Sequence, residues 1–369
     1  DAFMAQMYAI GLVGIYGTVH VAISGTVVPE STVTFDSSAS VPPSSVSTNT
    51  AFGSQGQIVA GRNMTLSGGN LVNGGLLYAG NNFNASAAQS FSNQGQYNSV
   101  TTTQPGSSMR GGNPSSTTFS YAQQSATVFA GNDLVIAAGQ ISNTYGSLLA
   151  GHNIVIGGVG TTATSTTPAQ SLNNTSGNIV AGNNIALNVA GAISNTLPPP
   201  VTLHQNYGAT EQYNGCMTAG GYKESYCEAY VDQQSGNSSV ISAGNNLQIN
   251  AGSLTNIGSL IAAGTSATIN VAGPVVNEAQ TLNAYWHSHW VQETGDFSPD
   301  KRHDVWACGS VAECTALYGS AYTSAGGTID PPTPVGNIAA TIQAPNLSIT
   351  STGEIQNVGN VIGTYVSLT

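Results

Sequence analysis

Charge is what this chain has least of. Lys and Arg number five against sixteen Asp and Glu, charged residues make up 6%, and the net charge is −11 over 369 residues. So small a basic complement excludes an electrostatic grip on nucleic acid, which needs a cationic footprint. It also excludes docking on anionic lipid headgroups. A basic or neutral partner surface fits better. Enzyme signatures are missing too: there is no G-x-S-x-G elbow and no H-E-x-x-H. The low charge is not disorder, because 40% of the residues are apolar and disordered chains are poor in these. Residues 2–19 form the one apolar stretch that resembles a leader or a membrane span. They lack a basic start, and Gly11, Gly14 and Gly17 recur every third residue. They read as part of one or two divergent rungs over 8–34, with Val19-His20-Val21-Ala22-Ile23 as a strand, rather than a transmembrane helix.

What the chain has is repetition, and repetition decides the fold first. Ile58-Val59-Ala60-Gly61-Arg62-Asn63-Met64-Thr65-Leu66 returns as Val128-Phe129-Ala130-Gly131-Asn132-Asp133-Leu134-Val135-Ile136. It returns again at Ile179–Leu187 and Ile241–Ile249, with weaker copies from Leu77, Leu148, Ile261 and Ile342. Ala60 to Ala79 is 19 residues and Ala130 to Ala150 is 20. A unit of about 20 residues is too short for helix pairs and fits a β-solenoid rung. Ile179, Ala181, Ile185 and Leu187 alternate with Val180, Ala186 and Asn188, the period of a strand. The Gly-Asn pair between the two short strands is expected to turn a corner, with Gly supplying positive φ and Asn tolerating it. About ten such rungs at ~4.8 Å each predict a rod of roughly 50 Å.

A second phrase, usually soon after a Gly, ends in Asn73, Asn143, Asn195, Asn256, Asn277 and Asn357. It reads as a third strand closing each coil. Asn at one position in successive coils predicts a ladder of stacked amides, each satisfying the next, as buried polar groups require. The plainer alternative is a row of surface turn residues.

The A-G-N-N-φ-x-φ and G-x-φ-x-N phrases together resemble the filamentous haemagglutinin repeats of two-partner secreted bacterial exoproteins, which include adhesins and CdiA-type effectors of contact-dependent growth inhibition. The resemblance covers the repeat copies from residue 58 onward, not the segments between them. It implies an all-β, right-handed parallel β-helix, export with the help of an outer-membrane transporter of the two-partner pathway, and display outside the outer membrane. It implies no cofactor. No Asn-Pro-rich secretion domain and no Val-Glu-Asn-Asn boundary is found, so the chain reads as an internal segment of a longer exoprotein.

The expectation is therefore one β-helix over 1–369, interrupted by loop insertions at about 35–55, 84–125, 159–176, 197–238 and 278–336. The last two hold all four cysteines, all three tryptophans, eight of the fifteen tyrosines and eleven of the sixteen acids. Aromatic residues of this kind anchor interfaces, so Tyr207, Tyr213, Tyr222, Tyr226, Tyr230, Tyr285, Trp286, Trp290 and Trp306 are candidate receptor contacts. Small cores beneath long loops are the alternative use for them. Cys216 with Cys227 and Cys308 with Cys314 are the local disulfide pairings, suited to an exported protein. A four-cysteine zinc site is the rival, without the tight spacing it favours. His287-Ser288-His289, near His303 and Asp304, allows a metal site, but an aromatic-rich surface loop accounts for these residues and no metal is expected. His152 takes the Asn slot of a corner and reads as a turn substitute. Residues 311–317 allow a helical turn or two. Asp296, Asp300 and Asp304 lack calcium-loop spacing. The rungs carry almost no ionisable groups beyond Arg62, Asp133 and His152, too few for the acid clusters of a polysaccharide-active β-helix.

Function is accordingly expected in recognition, not catalysis. Within the resembled family the first choice is the receptor-binding region of a contact-dependent growth inhibition effector, with an outer-membrane protein or surface glycan of a target cell as partner. A host-directed adhesin, a non-binding spacer rod and a polysaccharide-active enzyme are the alternatives.

Overall fold

The structure, a computed structural model, describes residues 32–36, 55–105, 115–208, 212–213, 216–217, 223–293, 322–329 and 331–369, with side chains at 55–105, 115–206, 228–285 and 331–369. No helix occurs among the described residues. The chain is a parallel β-helix with three faces. The first face is a 9-stranded parallel sheet, from Gln57–Ala60 to Asn360–Ile362. The second and third faces join into a 15-stranded sheet, because Asn63–Asn73, Phe83–Gln94 and Leu134–Thr144 run unbroken round the corner between them. Nine rungs at about 4.8 Å give a described rod of roughly 40 Å. The ninth, at Asn360–Ile362, is one more than the repeats counted in the sequence.

Alternation drives the coil shut. Ile58, Leu77, Val128, Leu148, Ile179, Ile241, Ile261 and Ile342 stack in register on the first face. Met64, Phe83, Leu134, Ile154, Ile185 and Leu247 do so on the second. Leu71, Phe91, Ile141, Leu172, Ile193, Leu254 and Val275 do so on the third. The three columns meet in one continuous core. Burying each such side chain contributes about 1.5–3 kcal/mol. Val180 points outward, as its alternation requires, and packs there with Phe129 and Leu149 in a small second cluster.

The glycines of the first corner serve a different purpose from the one expected. They are not left-handed: among the described glycines, positive φ belongs to Gly160 and Gly258. They are needed because the rungs stack too closely for a side chain. A Cβ on Gly131 would lie 2.3 Å from the Gly80 carbonyl oxygen, one on Gly182 would lie 2.2 Å from that of Gly151, and one on Gly244 would lie 2.2 Å from that of Gly182. The left-handed residues sit instead at the third corner, between the third and first faces. There Tyr145 (φ 51°), Ser176 (φ 47°) and Gly258 (φ 54°) turn the chain in successive tight corners.

Two side-chain ladders run along the rod, the first from Asn73 to Asn357 and the second from Asn63 to Asn246. In the first, the Nδ2 of Asn73 donates to the Oδ1 of Asn93 at 2.7 Å, Asn93 to Asn143 at 2.8 Å, and Asn143 to Asn174 at 2.7 Å. Asn174, Asn195, Asn256, Asn277 and Asn357 continue it at 2.7–2.8 Å. From Asn73 to Asn277 these amides are buried; Asn357 is exposed. In the second ladder, at the first corner, the backbone N–H of Asn82, Asp133, Asn153, Asn184 and Asn246 each donates to the side-chain oxygen one rung back, at 3.1–3.2 Å. His152 occupies this corner, with its Nδ1 3.0 Å from the Asp133 carboxylate and its Nε2 3.1 Å from Asn183.

Candidate functional site

Three excursions leave the rod at the same corner, where Tyr145, Ser176 and Gly258 turn tightly on the intervening rungs. They are not independent loops. They assemble into one antiparallel sheet of seven strands: β1 (Gln96–Pro105), β2 (Ser115–Gln124), β3 (Val201–Gly208), β4 (Lys223–Gln233), β5 (Gln280–Glu293), β6 (Tyr322–Ile329) and β7 (Thr333–Ile338). Their order is β6-β5-β4-β3-β2-β1, with β7 also on β5. Departure from one corner of stacked rungs is what brings them edge to edge.

The boundaries move accordingly. Residues 84–94, expected in an insertion, complete a rung and supply Asn93, and the excursion starts only at Gln96. Likewise Ser171–Thr175 is a strand of the third face and supplies Asn174. Both asparagines follow an apolar residue at the same distance as their partners, Phe91-Ser92-Asn93 and Leu172-Asn173-Asn174, so the signal was present. The short loop between Gly158 and Pro168 leaves a different corner and takes no part in the antiparallel sheet. The 35–55 segment lies largely outside the described residues. So do most of the divergent rungs expected over 8–34, although Thr32–Asp36 pairs parallel with Asn63–Ser67.

The sheet is tied firmly to the rod. Tyr97 stacks on Tyr145 at 4.9 Å and on Tyr121 at 6.1 Å, and its hydroxyl donates to the Ser235 carbonyl at 2.7 Å. Tyr121 donates to the Oδ1 of Asn237 at 3.2 Å, Ser176 to the Asn237 carbonyl at 2.6 Å, and Gln280 to the Pro198 carbonyl at 2.9 Å. Burial raises the phenol pKa of Tyr97, Tyr121 and Tyr145 above 10.0; the Tyr97 phenolate adds to the effect on the other two, and a hydrogen bond from Ser99 opposes it at Tyr97. Where β2 and β3 diverge, the Gln205 amide fills the gap like a piece of strand, accepting from Thr117 N–H and donating to Thr117 C=O.

Strand alternation gives the sheet two chemically different faces. One carries Leu203, Ala229 and Ala284, all buried. The other is polar and aromatic. His204, Tyr230 and Tyr285 lie directly across from one another on β3, β4 and β5. The His204 ring stacks on Tyr230 at 4.9 Å. Its Nε2 lies 2.6 Å from the Glu228 carboxylate, while Thr202 donates to Asp232 at 2.7 Å. Burial, and then the Glu228 charge, raise the Tyr230 pKa. The exposed surface is thus a ring-lined, acidic patch.

The expected receptor contacts divide over this frame. Tyr230 and Tyr285 share the polar face, and the backbone of Tyr226 pairs with that of His289. Trp286 and Trp290 lie across from Ala229 and Ser225 in the backbone register. Tyr207 lies in β3, and Tyr213 pairs with Cys216 in a two-stranded turn. Cys227 lies across from Ser288. Tyr222, Trp306, Cys308, Cys314 and the helical turn expected at 311–317 lie outside the described residues, as do the side chains that decide the disulfide pairing. Among the described residues no group of three potential metal ligands assembles, and no helix is long and apolar enough to cross a membrane.

The haemagglutinin repeat family matches residues 17–104, 116–167, 154–197, 209–279 and 316–364, leaving out the whole of β3 and of β5. No curated protein and no solved structure matches the chain.

Proposed function

Because the chain belongs to the haemagglutinin repeat family, a structural and adhesive family of secreted, cell-surface proteins, we propose that its antiparallel sheet is a recognition surface held out from a structural rod. The reading rests on one observation: three separate excursions converge on one sheet whose outward face gathers His204, Tyr230 and Tyr285 into a row. Rings with a polar tip bind both protein and sugar surfaces at low entropic cost. Within the family, the reading is the receptor-binding region of a contact-dependent growth inhibition effector, with an outer-membrane protein or surface glycan of a neighbouring bacterium as receptor. Export would use the outer-membrane transporter of the two-partner pathway. The acidic patch favours a receptor surface that is neutral or basic.

Removing residues 278–336 is a blunt test, because it takes out β5, which pairs with β4, β6 and β7. The double variant Tyr230→Ala/Tyr285→Ala is sharper. It should abolish binding to outer membranes of target bacteria while leaving the strand signal in circular dichroism unchanged. Binding to host cells in place of bacteria would move the assignment to a host-directed adhesin. Unchanged binding of the double variant, or no binding to either surface, would leave the rod as a spacer.

A further inference from the structure

We propose that β1 is the contact through which two copies of this chain pair, edge to edge and antiparallel, so that the sheet of one copy continues into that of the other. Among the described residues β1 pairs with β2 alone, which leaves one side of the strand without a partner. Every residue from Ser99 to Pro105 is exposed. Alternate residues of an antiparallel strand direct both N–H and C=O to the same side, so about three of these residues offer both groups outward. Sheet edges are ordinarily blunted by a charge, a proline or a bulge. Along Ser99–Gln104 β1 has none of these: its proline is the last residue, and its pairing with β2 runs without a register shift. By contrast β7, which among the described residues also pairs on one side only, carries Pro334 inside the strand.

Charge selects a second copy as the occupant. The chain carries a net charge of −11, so two copies repel wherever their acids meet. β1 and β2 contain no Asp, Glu, Lys or Arg, and self-pairing there brings no like charges together. The exposed stretch is also self-complementary. It is centred on Thr102, so a two-fold axis normal to the sheet sets Thr102 against its own copy, Thr101 against Thr103 and Val100 against Gln104. Threonines pair well across strands, and one such pair already joins β1 to β2, with the Thr103 and Thr117 hydroxyls 3.1 Å apart. The new ladder makes about six main-chain hydrogen bonds. Its area falls well below the roughly 800 Å² per partner of a standard interface, so the contact is weak and reversible. Many copies displayed together multiply it. His204 and Tyr230 belong to β3 and β4, which β2 separates from this edge, and the pairing does not depend on a receptor.

Sedimentation velocity on the whole chain, over a concentration series, should show a reversible equilibrium between monomer and dimer. Hydrogen exchange in a peptide spanning 96–105 should slow as concentration rises, while exchange in 360–369 stays unchanged. Thr102→Lys and Thr102→Glu each set like charges directly opposite one another in the paired strands, and each should weaken dimerisation by about tenfold. Thr102 is exposed, so circular dichroism of both variants should match that of the parent chain. An equimolar mixture of the two variants should recover the parent affinity to within about threefold at low salt and lose it again at high salt. A monomer at every concentration, a dimer indifferent to both variants, or no recovery in the mixture would each overturn the proposal. So would protection confined to 360–369, where Tyr365 and Val366 are exposed, because it would place the contact at the last described rung of the rod.

Discussion

Replacing Asn195 by alanine cuts the amide ladder at its centre. Asn195 is fully buried. Its Oδ1 accepts from Asn174 at 2.8 Å, and its Nδ2 donates to Asn256 at 2.8 Å and to the Leu260 carbonyl at 3.1 Å. Asn174 retains Gly177 and Val240 as acceptors for its two hydrogens, so its loss is small. The Asn256 oxygen loses its amide donor in a site sealed from solvent. Lost hydrogen bonds at about 1 kcal/mol each, plus about 1–3 kcal/mol for the orphaned acceptor, sum to roughly 3–5 kcal/mol. Asn357→Ala is the internal control. It removes one bond from Asn277 at the exposed end of the same ladder, where water replaces the partner and the cost should stay below about 1 kcal/mol. Guanidinium unfolding followed by circular dichroism should separate the two midpoints clearly. Hydrogen exchange should rise in peptides spanning 172–197 and 240–261 for Asn195→Ala alone. If both variants unfold together, or exchange rises equally along the rod, the ladder is decoration and the reasoning fails.

Gly182→Ala forces a Cβ to within 2.2 Å of the Gly151 carbonyl oxygen, whereas Gly61→Ala, at the same place in the repeat, meets nothing within 4 Å; thermal unfolding should show the first losing several degrees and the second almost none. The tyrosine stack carries a pH dependence. Tyr97, Tyr121 and Tyr145 have raised folded pKa values, so their contribution is complete below pH 10 and fades as pH climbs through those values. Ultraviolet titration should find late-ionising phenols, and ordinary titration of all tyrosines would refute it. Gln205→Leu leaves Thr117 N–H and C=O without their bridging amide; exchange should quicken in 115–124 while the rod stays protected, and uniform protection would show the bridge to be dispensable.

Much of the rod is legible in the sequence because its determinants are local. Alternation over Ile179-Val180-Ala181 and Ile185-Ala186-Leu187 dictates which side chains turn inward, and a 20-residue period dictates that each stacks on its own copy. The ladder asparagines follow from the same periodicity; Asn93 and Asn174 are harder to read because the first borders an excursion and the second follows the loop between Gly158 and Pro168. The role of the corner glycines is not legible there, since a Cβ clash with the neighbouring rung's carbonyl is a contact between residues about 20 to 60 apart that no local pattern displays.

The antiparallel sheet is the opposite case. Its strands share no repeat, and β4 and β5 carry their rings at irregular spacing. What aligns them is a common exit corner on a stack of rungs, a position in space that exists only once the rod has formed. Composition and periodicity alone determined that this chain coils into a parallel solenoid of aliphatic core and amide ladders. Which of its aromatic, histidine and acidic residues share a face, His204 beside Tyr230, Glu228 and Tyr285, was decided by strand register between residues about 20 to 70 apart, because cross-strand partners are chosen by the geometry of the support and not by anything written between them.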